Sequence, residues 1–419
     1  MINHIQFKGK AKFKKENKII IVVIRKQPGE LDWILPILNN IKNNFNIIVI
    51  FEKKIALKLL KENKILYNLF LETVFAYIQN SLLKSLFLRL ANKISIFFKI
   101  GFLSDFLKNK IFTNYYNTYD LEKNIKKITS NFKNQNIKIL MQDFTDNSPW
   151  VKKFYEKNKN LKIISYPHTT NIYSNKKNRV ENKINYNSNN FLLLCSSFDM
   201  LHFKKKFNQS NKFICGFPKY EKSWLNKIEK FYRGKSKKNK NILIAYKGFE
   251  KKKYSKSMYI DQVKALFDFA VKNKKIVLVF KFHPNVQEED VFMNVANKYP
   301  KHLWKITKEH LHIAAKKSDI FISFYANAPI LDSLASGKIP IQLWNISNNQ
   351  NLKSVYSELK LCFMVKDSFS LVKKLNFILL HENLLTQNKF LNRFKKICQN
   401  SGSIGLVKKL LLKITKLSS

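Results

Sequence analysis

Short apolar runs alternate with helical stretches along most of this chain. Residues 17–24 and 45–51 are apolar runs of strand length, and between them residues 31–43 place their apolar positions at helical spacing. A continuous apolar run of this size predicts a buried strand, whereas the 3.6-residue period predicts an amphipathic helix. Strand, helix, strand with short loops is the start of a parallel βαβ sheet.

The same alternation continues further along the chain. In the first half we predict strands at 137–144, 161–166, 191–195 and 213–217, with a helix that begins near Ser148. A second set of predicted strands occupies 241–245, 276–281, 304–306, 319–323 and 339–342. Residues 221–240 are polar and rich in lysine, so we interpret them as a linker. The prediction is an N-terminal domain over 1–220, a C-terminal domain over 241–369 and a helical tail over 370–419 that packs back on the N-terminal domain.

Residues 66–112 differ from their surroundings, because they contain no proline and only one glycine. We predict a helical insert here, with Leu83, Phe87, Leu90, Ile94 and Phe97 on one helical face and basic residues between them. Two interpretations stay open for this face and for the basic, amphipathic end of the tail. They are helices packed on the sheet, or a surface that lies on an anionic bilayer.

The net charge of +49 is the strongest compositional feature of the 419 residues. Lysine dominates, and arginine occurs only at Arg25, Arg89, Arg179, Arg233 and Arg393. Compositional drift and a solvated surface explain part of this positive charge. The remainder is consistent with binding to an anionic membrane or to a nucleotide. Nucleic-acid readers depend on arginine, so we rank nucleic acid below these partners.

The sequence has no clear signal for a metal site, a signal peptide or a membrane span. The four cysteines form no CxxC pair, so the sequence predicts no metal site and favours buried thiols in a reducing cytosol. The first residues have no apolar signal-peptide core, and no run is long and apolar enough to cross a membrane. We therefore expect a cytoplasmic protein, either free or peripheral on the inner face of the cell membrane.

The candidate catalytic and ligand-binding residues lie at the ends of predicted strands, where open α/β sheets bind their ligands. His168 follows a predicted strand in the first half, with Thr169 and Thr170 after it. In the second half, Lys281 and His283 end another strand, and both would emerge on one face of the pleat. An imidazole in such a place suits proton transfer or anion contact, and a cation beside an imidazole suits a diphosphate. A purely structural role is open for each histidine.

The strand that ends at Ser323 leads into a loop with Tyr325 and Asn327 and then into a predicted helix over 328–336, which carries Asp332 and Ser333. The N–H groups at the start of that helix would attract a phosphate. Asp332 would accept from ribose hydroxyls or only favour the helix electrostatically. Weaker candidates are Lys247 and Gly248 after an earlier strand, and Glu30 as a base facing the cleft.

The order of the motifs PHTT, GFPK, AYKGF, KFHPN and SDIFISFYANAPILDSLASGKIPI resembles the GT-B-fold transferases of bacterial surface polymers. Similar families are the CDP-glycerol glycerophosphotransferases of teichoic acid synthesis, capsule-type polysaccharide transferases and polysialyltransferases. His168-Thr169-Thr170 resembles their His-Gly-Thr motif, with Thr169 where glycine is usual. His283-Pro284 matches their HP motif, and 323–333 matches the nucleotide-contacting stretch.

The resemblance implies an α/β, GT-B-like fold of two Rossmann-like domains that face a cleft, with extra helices in the N-terminal half. It implies a glycosyltransferase-like enzyme that transfers a sugar or a glycerophosphate-like unit from a nucleotide-sugar or CDP-alcohol donor. The acceptor would be a glycan or a lipid-linked molecule in capsule, lipopolysaccharide or teichoic-acid-like synthesis, and no cofactor or metal is expected. The alternatives are a nucleotide-sugar epimerase and a non-catalytic carbohydrate-binding or polyanion-binding protein.

Overall fold

A computed structural model describes most of the chain. The described residues are 5–25, 28–79, 137–144, 151, 154–155, 158, 160–167, 174, 190–197, 199, 212–234, 239–249, 255–283, 290–324, 328–344, 352–381, 389–399 and 402–416.

The first half of the chain builds an eight-stranded sheet in the order β1-β4-β3-β2-β5-β6-β7-β8. Its strands are β1 (Ile5–Lys8), β2 (Lys18–Ile24), β3 (Phe45–Phe51), β4 (Ala76–Gln79), β5 (Ile137–Asp143), β6 (Lys162–Tyr166), β7 (Asn190–Leu194) and β8 (Lys212–Ile214). All neighbours pair in parallel except β1, which runs antiparallel to β4 at the edge. Strand order reverses between β2 and β5, which is a topological switch point.

The second half builds a six-stranded parallel sheet in the order β11-β10-β9-β12-β13-β14. Its strands are β9 (Lys240–Tyr246), β10 (Ile276–Phe282), β11 (Trp304–Ile306), β12 (Ile320–Phe324), β13 (Pro340–Leu343) and β14 (Phe363–Val365). The switch point here lies between β9 and β12. Two doubly wound sheets confirm the predicted α/β fold of two Rossmann-like domains.

Helices cover and connect these sheets. They are α1 (Pro28–Ile41), α2 (Lys54–Glu62), α3 (Lys64–Thr73), α4 (Lys222–Glu229), α5 (Lys256–Lys272), α6 (Asp290–Ala296), α7 (Leu311–Lys316), α8 (Ile330–Ala335), α9 (Val355–Glu358), α10 (Ser368–Leu380), α11 (Lys389–Phe394) and α12 (Ser403–Lys416). Most predicted elements agree with these bounds to within a few residues.

The helical insert predicted over 66–112 agrees with α3 as far as Thr73 and is wrong at 76–79. Residues Ala76–Gln79 form β4, which hydrogen-bonds to β3 on one side and to β1 on the other. Tyr77 and Ile78 belong to residue types that fit a pleated surface, and the ring of Phe7 stacks on that of Tyr77 with 4.9 Å between centroids. The amphipathic face from Leu83 to Phe97 lies outside the described residues.

The predicted strand over 213–217 ends earlier, at Ile214. Gly216 has a φ of 80°, a left-handed conformation that strands do not use, so the chain turns there.

Residues 221–240, predicted as a linker, contain the helix α4. Its buried residues Trp224, Leu225 and Ile228 share one helical face. The Lys227 ammonium donates to the Asn39 side chain in α1, and the Glu229 carboxylate accepts from His312 in the C-terminal half at 3.0 Å. The linker is therefore a packed element that touches both domains.

The last helix, α12, packs against α1 in the N-terminal half. Ile404, Val407, Leu411 and Ile414 are buried there, and the Lys18 ammonium donates to the Thr415 carbonyl at 2.7 Å. One apolar core joins α1, α4 and α12 with Ile313, Ile330 and Leu334 of the second half. The two domains thus share part of their hydrophobic core.

Candidate site at the domain junction

Several predicted residues meet at the carboxyl edge of the second sheet. Lys247 and Gly248 follow β9, and His283 follows β10. The His283 backbone N–H donates to the Tyr246 carbonyl at 2.8 Å, which fixes His283 beside the end of β9. These residues lie next to the switch point between β9 and β12, where a doubly wound sheet leaves a crevice for ligands.

The loop after β9 depends on glycine. Gly248 is buried and has a φ of 27°, in the region that side chains other than glycine disfavour. The neighbouring Lys247 is partly buried. A loop of this kind brings backbone N–H groups and a cation to the crevice. Tyr325 and Asn327, predicted in the loop after β12, lie outside the described residues.

Lys281, Ala245 and Ser323 form one row across three strands. Register pairs Lys281 with Ala245 and Ala245 with Ser323, so the three side chains lie on the same face. The small Ala245 belongs to the core cluster that packs under α7, which identifies this face. Ser323 is fully buried, and within the described part of the chain its hydroxyl has no hydrogen-bond partner.

The Lys281 ammonium is a cation at the boundary of the two domains. Burial lowers its pKa to about 8, although the nearby carboxylates of Asp32, Glu309 and Glu62 partly oppose that change. Asp32 and Glu62 belong to α1 and α2 of the N-terminal half. Carboxylates of the N-terminal half therefore act on the Lys281 ammonium across the domain boundary.

A buried ion network ties the domains together beside Lys281. The Lys219 ammonium lies 2.7 Å from the Asp32 carboxylate in α1 and 2.8 Å from the Asp332 carboxylate in α8. The Tyr220 hydroxyl donates to the second oxygen of Asp332 at 3.0 Å. Burial would lower the pKa of Lys219, yet the two carboxylates raise it above its usual range.

His310 completes this network and has no free ring nitrogen. Its Nδ1 accepts from the His312 backbone N–H at 3.3 Å, so Nε2 carries the proton and donates to Asp32 at 3.2 Å. Burial would raise the pKa of Asp32, but Lys219 and His310 outweigh it and hold that pKa well below its usual range. The pair of His310 and Asp32 therefore orients the interface and is not arranged for proton transfer.

A second junction involves His312 of α7. Its Nε2 donates to Glu229 of α4 at 3.0 Å, and Ser336 lies 3.0 Å from its Nδ1. Burial lowers the pKa of His312 despite the neighbouring carboxylate. This histidine anchors the linker helix to the C-terminal domain.

Asp332 and Ser333, which were predicted to contact the nucleotide, already have partners within the protein. Asp332 is buried and both of its oxygens already contact protein donors, so a ribose would have to share this carboxylate with Lys219 and Tyr220. The Ser333 hydroxyl donates to the Lys338 carbonyl at 3.0 Å and helps to end the helix. The helix itself is shorter than predicted, because it begins only at Ile330, after Pro329. Its dipole can therefore contribute less to phosphate binding than the sequence suggested.

Glu30 lies in the first turn of α1 and is buried. Its carboxylate accepts from the Arg25 backbone N–H at 2.8 Å, across the turn that joins β2 to α1. Its role as a base facing the cleft stays a prediction.

His168, Thr169 and Thr170 lie outside the described residues. The strand that precedes them, β6, ends at Tyr166, whose ring stacks on Trp33 of α1 with 5.7 Å between centroids. The chain therefore approaches these residues beside α1, the helix that also carries Asp32.

Lys219, Asp32 and His310 are functional neighbours that the sequence does not predict as a group. Lys219 belongs to the GFPK motif but was given no role, and its two carboxylate partners lie in distant parts of the sequence. The chain has many lysines, and nothing in the sequence around Lys219 indicates that this one is buried in the folded protein.

Comparison with known proteins supports the fold. No family model matches the chain, and a search of curated proteins finds no match. Among solved structures, a glycosyltransferase from Rickettsia africae ESF-5 is similar at a TM-score of 0.53 and 16% identity, over 96% of this chain and 99% of that chain.

Two further structures extend the similarity. A UDP-GlcNAc 2-epimerase from Neisseria meningitidis, bound to UDP-GlcNAc, has a TM-score of 0.54 and 10% identity over 94% of this chain and 100% of that chain. The wall teichoic acid polymerase TagF, soaked with CDPG, has a TM-score of 0.52 and 10% identity over 97% of this chain and 91% of that chain. The chain therefore has the GT-B fold that glycosyltransferases share with UDP-GlcNAc 2-epimerases.

Proposed function

We propose that this protein is a transferase that uses a nucleotide-activated donor in the synthesis of a bacterial surface polysaccharide. The unit transferred is a sugar or a glycerophosphate-like group, and the acceptor is a hydroxyl of a glycan or of a lipid-linked molecule. The observation that carries the proposal is the position of Lys281, His283 and Lys247 at the carboxyl edge of the C-terminal sheet, next to its switch point.

In the proposed reaction the donor phosphates bind at this edge. The acceptor oxygen forms a bond to the transferred unit, and the bond from that unit to the nucleotide phosphate breaks. Lys281 and His283 stabilise the negative charge that builds on the leaving phosphate. His168 takes the acceptor proton or contacts the transferred unit. The positive field comes from these side chains, so the proposal includes no metal and no cofactor.

The test uses single substitutions and a panel of nucleotide donors. His283→Ala should abolish donor-dependent release of nucleotide, while His302→Ala, which removes an exposed histidine, should leave it unchanged. Circular dichroism of both variants reports whether the fold is intact. Unchanged release by a folded His283→Ala variant would overturn the assignment.

The similarity to UDP-GlcNAc 2-epimerases favours one alternative, an epimerase. An epimerase would convert a nucleotide-sugar in the absence of acceptor and release no polymer. Product analysis with and without acceptor separates the two reactions. A non-catalytic polyanion binder would instead show no preference for the base in calorimetry and a steep salt dependence.

The proposal also includes a cytoplasmic location at the inner face of the membrane. Among the described residues, no helix is both long and apolar enough to span a bilayer. In this proposal the enzyme reaches a lipid-linked acceptor from the membrane surface. The basic tail helix α12 is a poor candidate for this contact, because its apolar face is buried against α1.

A further inference from the structure

One face of α10 exposes large apolar side chains to solvent. Phe369 is 79% exposed, Leu380 is 81% exposed and Phe377 is 40% exposed. The opposite face packs normally, since Leu371, Leu375 and Ile378 are buried. Among the large apolar side chains that the structure describes, Phe369 and Leu380 are the two most exposed.

The exposed residues form a continuous stripe. Phe369, Lys373, Phe377 and Leu380 follow each other at steps of four, four and three residues, which keeps them on one side of a helix. At about 1.5 Å per residue the stripe is roughly 16 Å long. Large apolar side chains that face water together on one side of a helix are typical of an interaction surface.

Lysines accompany the stripe. Lys373 lies within it and is exposed, and the Lys374 ammonium lies 4.8 Å from the centre of the Phe377 ring. Between residues 363 and 380 the sequence has one acidic residue, Asp367, whose carboxylate accepts from the Ser370 backbone N–H at the start of the helix. Large apolar groups among cations match a bilayer that has anionic head groups.

The position of α10 connects this surface to the candidate site. β14 runs parallel to β13, so it ends at the same edge as β9 and β10. Because α10 starts directly after β14, Phe369 lies toward that edge. The helix then runs back along the flank of the domain, so a membrane under α10 would lie beside β14, with only the Phe369 end of the stripe toward the edge that carries Lys247 and His283.

We propose that the stripe formed by Phe369, Lys373, Phe377 and Leu380 is the surface through which this protein binds an anionic lipid bilayer. The proposal deepens the membrane part of the proposed function, and it identifies the helix responsible. Binding to lipid needs neither donor nor acceptor, so it can fail or succeed independently of the transfer reaction.

The test is flotation with vesicles made of equal parts phosphatidylglycerol and phosphatidylcholine, at low and high salt. The full chain should float at low salt and much less at high salt or with pure phosphatidylcholine. The double variant Phe369→Ser/Leu380→Ser should bind at least about tenfold more weakly. Leu406→Ser is the matched control, because it replaces a leucine that is 51% exposed on α12, and it should bind like the unmodified chain.

Three flotation results would overturn the proposal. They are a full chain that stays in the soluble fraction at low salt, a double variant that floats as well as the full chain, or a control that loses as much binding. Light scattering tests the alternative that the stripe binds a second copy of the chain. If the full chain is a dimer and the double variant is a monomer, the stripe is an interface between copies and the proposal is overturned. Nucleotide release with soluble acceptor, measured on the same samples, reports separately on the transferase proposal.

Discussion

Lys219 joins the two domains through a single side chain. Its side chain is only 17% exposed, and it neutralises two carboxylates that belong to different domains. We predict that Lys219→Met lowers the free energy of unfolding by about 3–5 kcal/mol, because Asp32 and Asp332 would then repel each other without a buried counter-charge. Denaturant unfolding measures the change.

The matched control is Lys222→Met, which removes a neighbouring but exposed lysine and should change stability by no more than about 0.5 kcal/mol. Adding Asp32→Asn and Asp332→Asn to Lys219→Met should restore much of the loss, since no buried charge remains unpaired. A Lys219→Met protein as stable as the control would contradict the role of this ion network.

Lys281 predicts a pH dependence for donor binding. Burial lowers its pKa to about 8, so the ammonium is largely charged at pH 7 and neutral at pH 9.5. If Lys281 holds donor phosphates, the affinity for a nucleoside diphosphate should fall as pH rises through about 8. Lys281→Arg keeps its charge and should remove most of that fall, as measured by calorimetry. An identical pH profile for both proteins would place the titrating group elsewhere.

At the scale of elements, the sequence predicts what is encoded locally. Apolar runs such as 45–51 have strand length and are flanked by turns, so β3 was predicted at its observed bounds. β4 was missed because 66–112 contain no proline and one glycine, which favoured a continuous helical insert, whereas pairing with β1 and β3 makes 76–79 a strand. Likewise Lys281 and His283 were predicted from the strand that carries them, whereas Lys219 acquires its role through partners that only the folded chain brings near.

The start of α10 allows a prediction about one element. Asp367 and Ser370 form a capping box, with the Asp367 carboxylate 2.7 Å from the Ser370 backbone nitrogen. Asp367→Ala should destabilise this helix end by about 1 kcal/mol. Hydrogen exchange of the first amides of α10 should become faster, while those of α5 keep their rates. Asp261→Ala, an exposed substitution within α5, is the control and should leave α10 unchanged.

At the scale of the whole molecule, chain order and domain membership differ. The C-terminal helix α12 follows the second domain in sequence but packs on α1 of the first. Its backbone also contacts the start of the linker, since the Ile404 N–H donates to the Glu221 carboxylate at 2.6 Å. The two domains are therefore joined by the linker helix, by the Lys219 network and by this returning helix.

This arrangement predicts that damage to the tail weakens the N-terminal domain. Leu411 is fully buried in the core shared with α1, so Leu411→Ala should cost about 2–5 kcal/mol. Hydrogen exchange should accelerate in α1 and β2 more than in α5, although α5 is closer to Leu411 in sequence. Lys409→Ala, on the exposed face of α12, should change neither. Faster exchange confined to α5 would mean that the tail stabilises the C-terminal domain, and that the N-terminal domain does not depend on α12.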